Sequence, residues 1–89
     1  MEIKLLEQAK TDLEYWKKTG NKAVMNKITA LLKDISEHPY TGIGKPEALR
    51  YELSGKWSRR INSEHRIIYS VHEDIIEVYV FSMRYHYVK

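Results

Sequence analysis

Three arginines within eight residues of one another lie in a segment with alternating polar and apolar side chains. Arg59 and Arg60 follow Trp57-Ser58, and Arg66 comes shortly after the polar residues Asn62-Ser63-Glu64. Polar turn residues between two apolar-studded runs predict a β-hairpin. A guanidinium on a rigid strand can donate two parallel hydrogen bonds to one phosphate, whereas on an ordinary solvated strand it pairs with nearby glutamates. The segment alone leaves both interpretations open.

A carboxylate and an imidazole elsewhere in the chain could complete an acid–base site beside these arginines. Glu47 follows the only Gly/Pro-rich stretch, residues 40–46, and His86 lies in the aromatic C-terminal run 84–87. Glu47 as base and His86 as acid would permit chemistry without a metal ion, with arginine stabilising the anion. Taken separately, each has a simpler interpretation, as a surface carboxylate and as a half-buried strand histidine.

The residue types give little support to a metal site or to a protein nucleophile. The chain has no cysteine, and its four histidines match no metal-binding spacing. A nucleophile elbow of the Gly-x-Ser-x-Gly type is also missing from the sequence. We therefore expect neither a metal ion nor a cofactor.

Length and charge favour one small globular domain over residues 1–89. The chain is 43% hydrophobic and 30% charged, as in ordinary globular proteins, and its net charge is +3. All five arginines follow residue 44, so an anion-binding surface is expected in the second half. The first residues do not form a signal peptide, and no apolar run could cross a bilayer. The expectation is a cytoplasmic protein without a membrane partner.

The first half of the chain predicts a short strand and two helices. Residues 2–5 alternate polar and apolar, and from Leu6 onward apolar residues recur at helical spacing. Gly20 suits a left-handed helix C-cap, Asn21 can cap a second helix, and His38-Pro39 should end it.

The second half predicts a helical turn over 47–53 and three strands, over 57–62, 65–72 and 75–82, with Glu73-Asp74 as a turn. An extended segment over 83–89 could add an edge. Strands adjacent in sequence form antiparallel pairs, so the predicted fold class is α+β, with two helices on one face of a small, mainly antiparallel sheet. The other face would be free for substrate.

Strand parity adds a specific condition on the arginines. Arg60 and Arg66 share a sheet face only if the hairpin loop has three residues or contains a bulge, because directly paired residues point the same way. We predict such a loop. Arg59 falls on the opposite face, and we expect its stem to cover the core edge while its head reaches water.

Five short motifs in the second half together resemble the YoeB/Txe family, toxins of bacterial toxin–antitoxin pairs within the RelE-like ribonuclease group. The motifs are Gly-x-Gly-Lys-Pro-Glu at 42–47, Leu-Ser-Gly at 53–55, Trp-Ser-Arg-Arg-Ile at 57–61, Glu-His-Arg at 64–66 and Arg-Tyr-His-Tyr at 84–87. The chain departs from the family pattern in ending with Val88-Lys89, beyond the tyrosine at which related chains often stop.

The resemblance implies a RelE-like microbial ribonuclease fold and an endoribonuclease that cuts messenger RNA in the ribosomal decoding site. Glu47 matches the family's general base, and Arg66 matches its phosphate-stabilising arginine. His86 matches the acid, and Tyr87 its phosphate-orienting neighbour. Two further matches, Arg60 and Arg50, imply RNA contacts. At the position of Arg50 the family usually has lysine.

The resemblance also implies a cognate antitoxin of the YefM/Phd-like kind, with an acidic, partly disordered segment that folds over the arginine-bearing face. A homodimer is one of the states that it allows. Two alternatives remain open at this point. One is a noncatalytic module that binds RNA or an acidic peptide on a basic sheet face, and the other is a nuclease that needs no ribosome.

Overall fold

Two helices and five strands make up residues 1–85, the part of the chain that the computed structural model describes. In chain order they are β1 (Glu2–Leu5), α1 (Glu7–Thr19), α2 (Lys22–Glu37), β2 (Glu47–Ala48), β3 (Trp57–Arg60), β4 (Arg66–His72) and β5 (Glu77–Ser82). A short 3₁₀ helix, Tyr51–Leu53, lies between β2 and β3.

The connection between the two helices follows the local sequence signals. Gly20 closes α1 with φ 67°, a left-handed conformation in which glycine carries no steric penalty. The side chain of Asn21 then accepts a hydrogen bond from the Val24 backbone N–H and so caps α2. The chain therefore reverses within two residues, and α2 ends at Glu37, just before His38-Pro39.

The five strands form one sheet in the order β1-β5-β4-β3-β2. The pairs β2–β3, β3–β4 and β4–β5 are antiparallel, whereas β1 runs parallel to β5. The α+β class with a mainly antiparallel sheet is confirmed. The parallel pair arises because α1 and α2, between β1 and the other strands, return the chain to the same end of the sheet.

Both helices cover one face of this sheet. The apolar core combines helix residues with strand residues of that face, among them Trp16, Leu31, Ile35, Ile67 and Val80. Asp12 of α1 is also buried, which is unusual for a carboxylate. It accepts the Met83 backbone N–H at 2.8 Å, which supplies the hydrogen bond that a buried charge requires.

Three sequence-based element assignments are corrected by the structure. The helical turn predicted over 47–53 is confined to Tyr51–Leu53, because Glu47–Ala48 pairs with β3 instead. The predicted two-residue turn Glu73-Asp74 is a four-residue connection over 73–76, because His72 pairs with Glu77. The segment after β5 does not form an edge strand over 83–85, although the Arg66 backbone N–H donates to the Tyr85 carbonyl. Residues 86–89 lie outside the described chain.

Candidate active site

The sheet face opposite the helices carries the paired arginines. Arg60 and Arg66 are directly opposed across β3 and β4. The Ile61 N–H donates to the His65 carbonyl at 2.9 Å, which leaves the three-residue loop Asn62-Ser63-Glu64. The predicted loop and shared face are therefore confirmed. Two positive charges directly opposite one another destabilise a sheet, so this face favours an anion.

Glu47 joins the arginines on the same face. It pairs directly with Ser58, two residues from Arg60 on β3, and its Oε1 lies 3.8 Å from Arg66 Nη1. The Glu47 side chain is 65% exposed, whereas that of Arg66 is 18% exposed. The structure thus brings together a solvated carboxylate and a largely buried guanidinium.

Two buried hydrogen-bond donors at this face have no partner among the described residues. They are the Ser58 hydroxyl, on a residue that is 1% exposed, and Arg66 Nε. Buried donors are normally paired, and an unpaired one costs about 1–3 kcal/mol. Both donors lie beside Glu47, because Ser58 is its direct partner across β2 and β3 and Arg66 contacts its carboxylate. Sequence analysis did not select Ser58, although a residue two positions before Arg60 on a strand lies on the same face.

Arg59, on the helix-facing side, anchors the loop that leads to Glu47. The expectation that its head reaches water is wrong, since the residue is 0% exposed. Its guanidinium pairs with the Asp34 carboxylate of α2 and Nε donates to the Tyr69 hydroxyl at 3.2 Å. The remaining N–H groups donate to the carbonyls of His38, Thr41 and Ile43.

This arrangement explains the two glycines of the loop. A Cβ at Gly42 would stand 1.9 Å from the Asp34 carboxylate, and one at Gly44 would stand 2.6 Å from Leu31 Cδ2. Gly44 also accepts the Arg60 backbone N–H. The glycines therefore permit close packing of the loop on α2 and β3, which fixes the chain before Glu47 without forming a phosphate cradle.

Ionisation of the buried cluster follows its hydrogen bonds. The hydrogen bond from Arg59 holds the pKa of the Asp34 carboxyl below its ordinary value, against the opposing effect of burial. Burial raises the pKa of the Tyr69 hydroxyl, which donates to the Pro39 carbonyl at 2.7 Å. The cluster thus keeps a charged Asp34 and a neutral Tyr69 around Arg59.

The chain after β5 is tied to α1 and to the start of β4. Trp16 Nε1 donates to the Met83 carbonyl at 2.9 Å, and the Tyr85 N–H donates to Nδ1 of the buried His65 at 2.7 Å. The Tyr85 carbonyl accepts the Arg66 N–H at 2.9 Å. The last described residue is therefore bonded to the backbone of the candidate phosphate-binding arginine. His86 and Tyr87, assigned roles by the resemblance, lie outside the described residues.

Arg50 is not brought to this cluster by any contact among residues 1–85. It precedes the 3₁₀ helix, where its carbonyl accepts the Leu53 N–H at 3.1 Å, and it is exposed. Its RNA-binding role stays a prediction. No group of three His, Asp or Glu side chains within residues 1–85 could hold a metal ion. None of the helices in the described chain is long and apolar enough to cross a membrane.

Comparison with known proteins identifies the family of this chain. A family model for the YoeB-like toxin of bacterial type II toxin–antitoxin systems matches residues 5–87. The chain belongs to this toxin family. Among its relatives, Toxin YoeB of Escherichia coli (strain K12) is 44% identical over 81 residues, which cover 91% of this chain and 93% of that protein.

Solved structures of YoeB-family toxins share the fold. A YoeB/ParE toxin from Agrobacterium tumefaciens superposes with a TM-score of 0.92 at 34% identity, covering 98% of this chain and 100% of that chain. A chain of the heterotetrameric YoeB–YefM toxin–antitoxin complex from Staphylococcus aureus gives a TM-score of 0.85 at 40% identity, with 98% of each chain covered. The resemblance found in the five motifs is confirmed, and the protein is a toxin of the YoeB/RelE class.

Proposed function

We propose that this YoeB-family toxin is an endoribonuclease that cuts messenger RNA in the ribosomal decoding site, using the substrate's own 2′-hydroxyl as nucleophile. The observation that carries the proposal is the contact between Glu47 and Arg66 on the sheet face opposite the helices. Simple phosphate binding needs arginine but no carboxylate beside it, so the pairing favours catalysis over the noncatalytic alternative.

The reaction assigns one proton transfer to each of two residues. Glu47 removes the proton from the 2′-hydroxyl, whose oxygen attacks the adjacent phosphorus. Arg66 stabilises the negative charge that grows on the phosphorane oxygens, through the guanidinium whose Nη1 lies beside Glu47. The bond to the 5′-oxygen breaks as His86 donates a proton to it, which leaves a 2′,3′-cyclic phosphate and a free 5′-hydroxyl.

Support for the role of His86 comes from the family and from the course of the chain. His86 follows Tyr85 directly, and the Tyr85 carbonyl is bonded to the Arg66 N–H. An unperturbed imidazole titrates near pH 6.5, so it can carry a proton for the leaving oxygen around neutral pH. Tyr87 would orient the phosphate, and Arg60 and Arg50 would contact the RNA backbone.

The proposed partners are the ribosome, messenger RNA and a cognate antitoxin. The solved YoeB–YefM assembly from Staphylococcus aureus is a toxin–antitoxin complex, and a second solved structure from that organism is a YoeB dimer. By analogy, an acidic antitoxin segment would neutralise the opposed Arg60 and Arg66 charges of this chain. A homodimer is proposed on the same ground.

Cleavage is expected to stop when the 2′-hydroxyl at the cut is removed. The test uses a translated message with one 2′-deoxy or 2′-O-methyl nucleotide at the mapped cut, assayed with ribosomes. The unmodified message should yield 2′,3′-cyclic phosphate ends, or the 3′-phosphate formed by their hydrolysis. Cleavage of the blocked message, or a free 3′-hydroxyl product, would mean that water attacks the phosphate and that the roles of Glu47 and His86 are wrong. The same message incubated without ribosomes tests the ribosome-independent alternative.

Arg60→Ala is expected to make RNA binding less sensitive to salt. Each phosphate contact releases counterions, so the slope of log affinity against log salt should become shallower by about one. The probe is a single-stranded RNA with 2′-O-methyl groups throughout, which this mechanism cannot cut. Lys33→Ala removes one exposed charge from α2, on the opposite side of the sheet, and should leave the slope unchanged. An unchanged slope for Arg60→Ala would show that its side chain makes no phosphate contact.

A further inference from the structure

We propose that Tyr15, Arg84 and Tyr85 form a stacking site for one RNA base next to the cut, an inference that rests on the proposed function. The Arg84 guanidinium carbon lies 3.5 Å from the Tyr15 ring centroid and 4.9 Å from that of Tyr85. Arg84 Nη2 also donates to the Tyr85 hydroxyl at 3.1 Å. The three side chains thus form one cluster, which we call the stacking cluster.

The two rings of the stacking cluster are partly open to solvent, although Trp16 packs on Tyr15 and His65 packs on Tyr85. Tyr15 is 40% exposed and Tyr85 is 55% exposed. A tyrosine whose only role is to pack the chain against α1 would bury most of its ring, as Trp16 does at 5% exposure. Exposed ring surface that is held in place offers a platform on which an unstacked base can sit.

The backbone under Tyr85 is held firmly in an unfavourable conformation. Tyr85 has φ 56°. This left-handed conformation is unfavourable in free energy for residues other than glycine. Hydrogen bonds from Met83 N–H to Asp12, from Trp16 to the Met83 carbonyl and from Tyr85 N–H to His65 maintain the segment. The ring itself is held by the Arg84 hydrogen bond to the Tyr85 hydroxyl and by packing against His65, as preorganised binding of a flat ligand requires.

The stacking cluster packs on α1 and His65, on the helix side of the sheet, and the backbone at the start of β4 joins it to the proposed phosphate site on the other face. The Tyr85 carbonyl is bonded to the Arg66 N–H, so the residue that offers the ring is bonded to the residue that would hold the phosphate. One strand of RNA that passes over this end of the sheet could then place its scissile phosphate on Arg66 and a neighbouring base on the rings. An acidic peptide fits less well, because the Arg84 charge already faces two rings and the open surface is aromatic.

The test combines tyrosine variants with a base deletion in the RNA. Messages with one abasic nucleotide at each position from two before to two after the mapped cut are cleaved with ribosomes by the parent protein and by Tyr85→Ala. Loss of one stacked base should slow the parent about 5- to 150-fold at a single abasic position. Tyr85→Ala should be slowed by a similar factor on the intact message and should be insensitive to the abasic nucleotide at that position.

Two variants separate stacking from other roles of the tyrosine. Tyr85→Phe keeps the ring and should retain the parent rate and the parent abasic profile. Tyr51→Ala removes another exposed tyrosine that also has positive φ, at 59° and 73% exposure, and should behave as the parent. The contrary result is that Tyr85→Ala cuts every abasic message more slowly than the parent does, by the same factor at each position. In that case the ring supports the chain rather than a base, and the inference is overturned.

The remaining outcomes also discriminate. An unchanged rate for Tyr85→Ala overturns the inference while the proposed function stands. Tyr85→Ala could also cleave at the parent rate while the co-expressed cognate antitoxin no longer relieves its growth inhibition. This result would assign the rings to antitoxin binding and would also overturn the stacking inference. A parent protein that leaves the intact message uncut would remove the proposed function itself, and the stacking inference with it.

Discussion

Arg59→Ala is expected to lower the free energy of unfolding by about 3–5 kcal/mol, the usual cost of removing one partner of a buried ion pair. The substitution leaves the Asp34 carboxylate without its guanidinium, and it removes the donors that satisfy the carbonyls of His38, Thr41 and Ile43. Small domains have about 5–15 kcal/mol in total, so this loss would be a large fraction of the protein's stability. Urea denaturation followed by circular dichroism measures the change.

Arg50→Ala serves as the matched control, because it removes an arginine that is exposed, and it should change the unfolding free energy by less than about 0.5 kcal/mol. Asp34→Ala and the double variant complete a thermodynamic cycle. The double variant should lose clearly less than the sum of the two single losses, because removing both charges leaves neither unpaired. Additive losses, or an urea midpoint for Arg59→Ala equal to that of the parent protein, would contradict the anchoring role.

The helices and the hairpin register could be predicted because their signals are local. Gly20 and Asn21 are adjacent in sequence, and the apolar stripe of α2 has a simple period. The Arg60–Arg66 pairing needed only the parity of β3 and β4 and a loop of odd length. The same parity assigned Arg59 to the helix side of the sheet, which the structure confirms.

The partners of Arg59 could not be predicted, since they are distant in sequence and mostly belong to the backbone. Asp34 is 25 residues away, and the loop carbonyls carry no side-chain signal. Exposure of a long arginine head is the ordinary outcome on a strand near a core edge. Here a fixed Gly/Pro loop supplies enough acceptors to satisfy a fully buried guanidinium instead.

Two further features depend on long-range pairing in the same way. Residues 47–53 favour a helical turn locally, but β3 offers an unpaired edge and draws Glu47–Ala48 into the sheet. The unpaired Ser58 hydroxyl becomes visible only once its neighbours across the sheet are known.

Motif matching identified Glu47 and Arg66 but carried no information on the 3.8 Å contact between them. The roles of His86, Tyr87 and Arg50 stay predictions.

Arg66→Ala is expected to lower the cleavage rate about 10²- to 10³-fold, as does loss of one donor that stabilises charge in a transition state. The fold should survive the change, because Arg66 stands directly opposite Arg60 and its removal relieves a like-charge pair. Ribosomal cleavage of a defined message measures the rate, and thermal unfolding measures the stability. Activity and stability should thus move independently, with the melting temperature equal to that of the parent or higher.

Two companion variants define what the loss means. Arg66→Lys keeps the charge and most of the stem but not the planar fork, and it should also cut slowly, since one ammonium cannot replace two parallel donors. Arg60→Ala relieves the same repulsion from the other strand, so it should match Arg66→Ala in stability while weakening binding more than turnover. A folded Arg66→Ala that cuts at the parent rate would remove this arginine from the mechanism. A variant that loses activity only in proportion to unfolded protein would show that Arg66 supports the sheet and not the reaction.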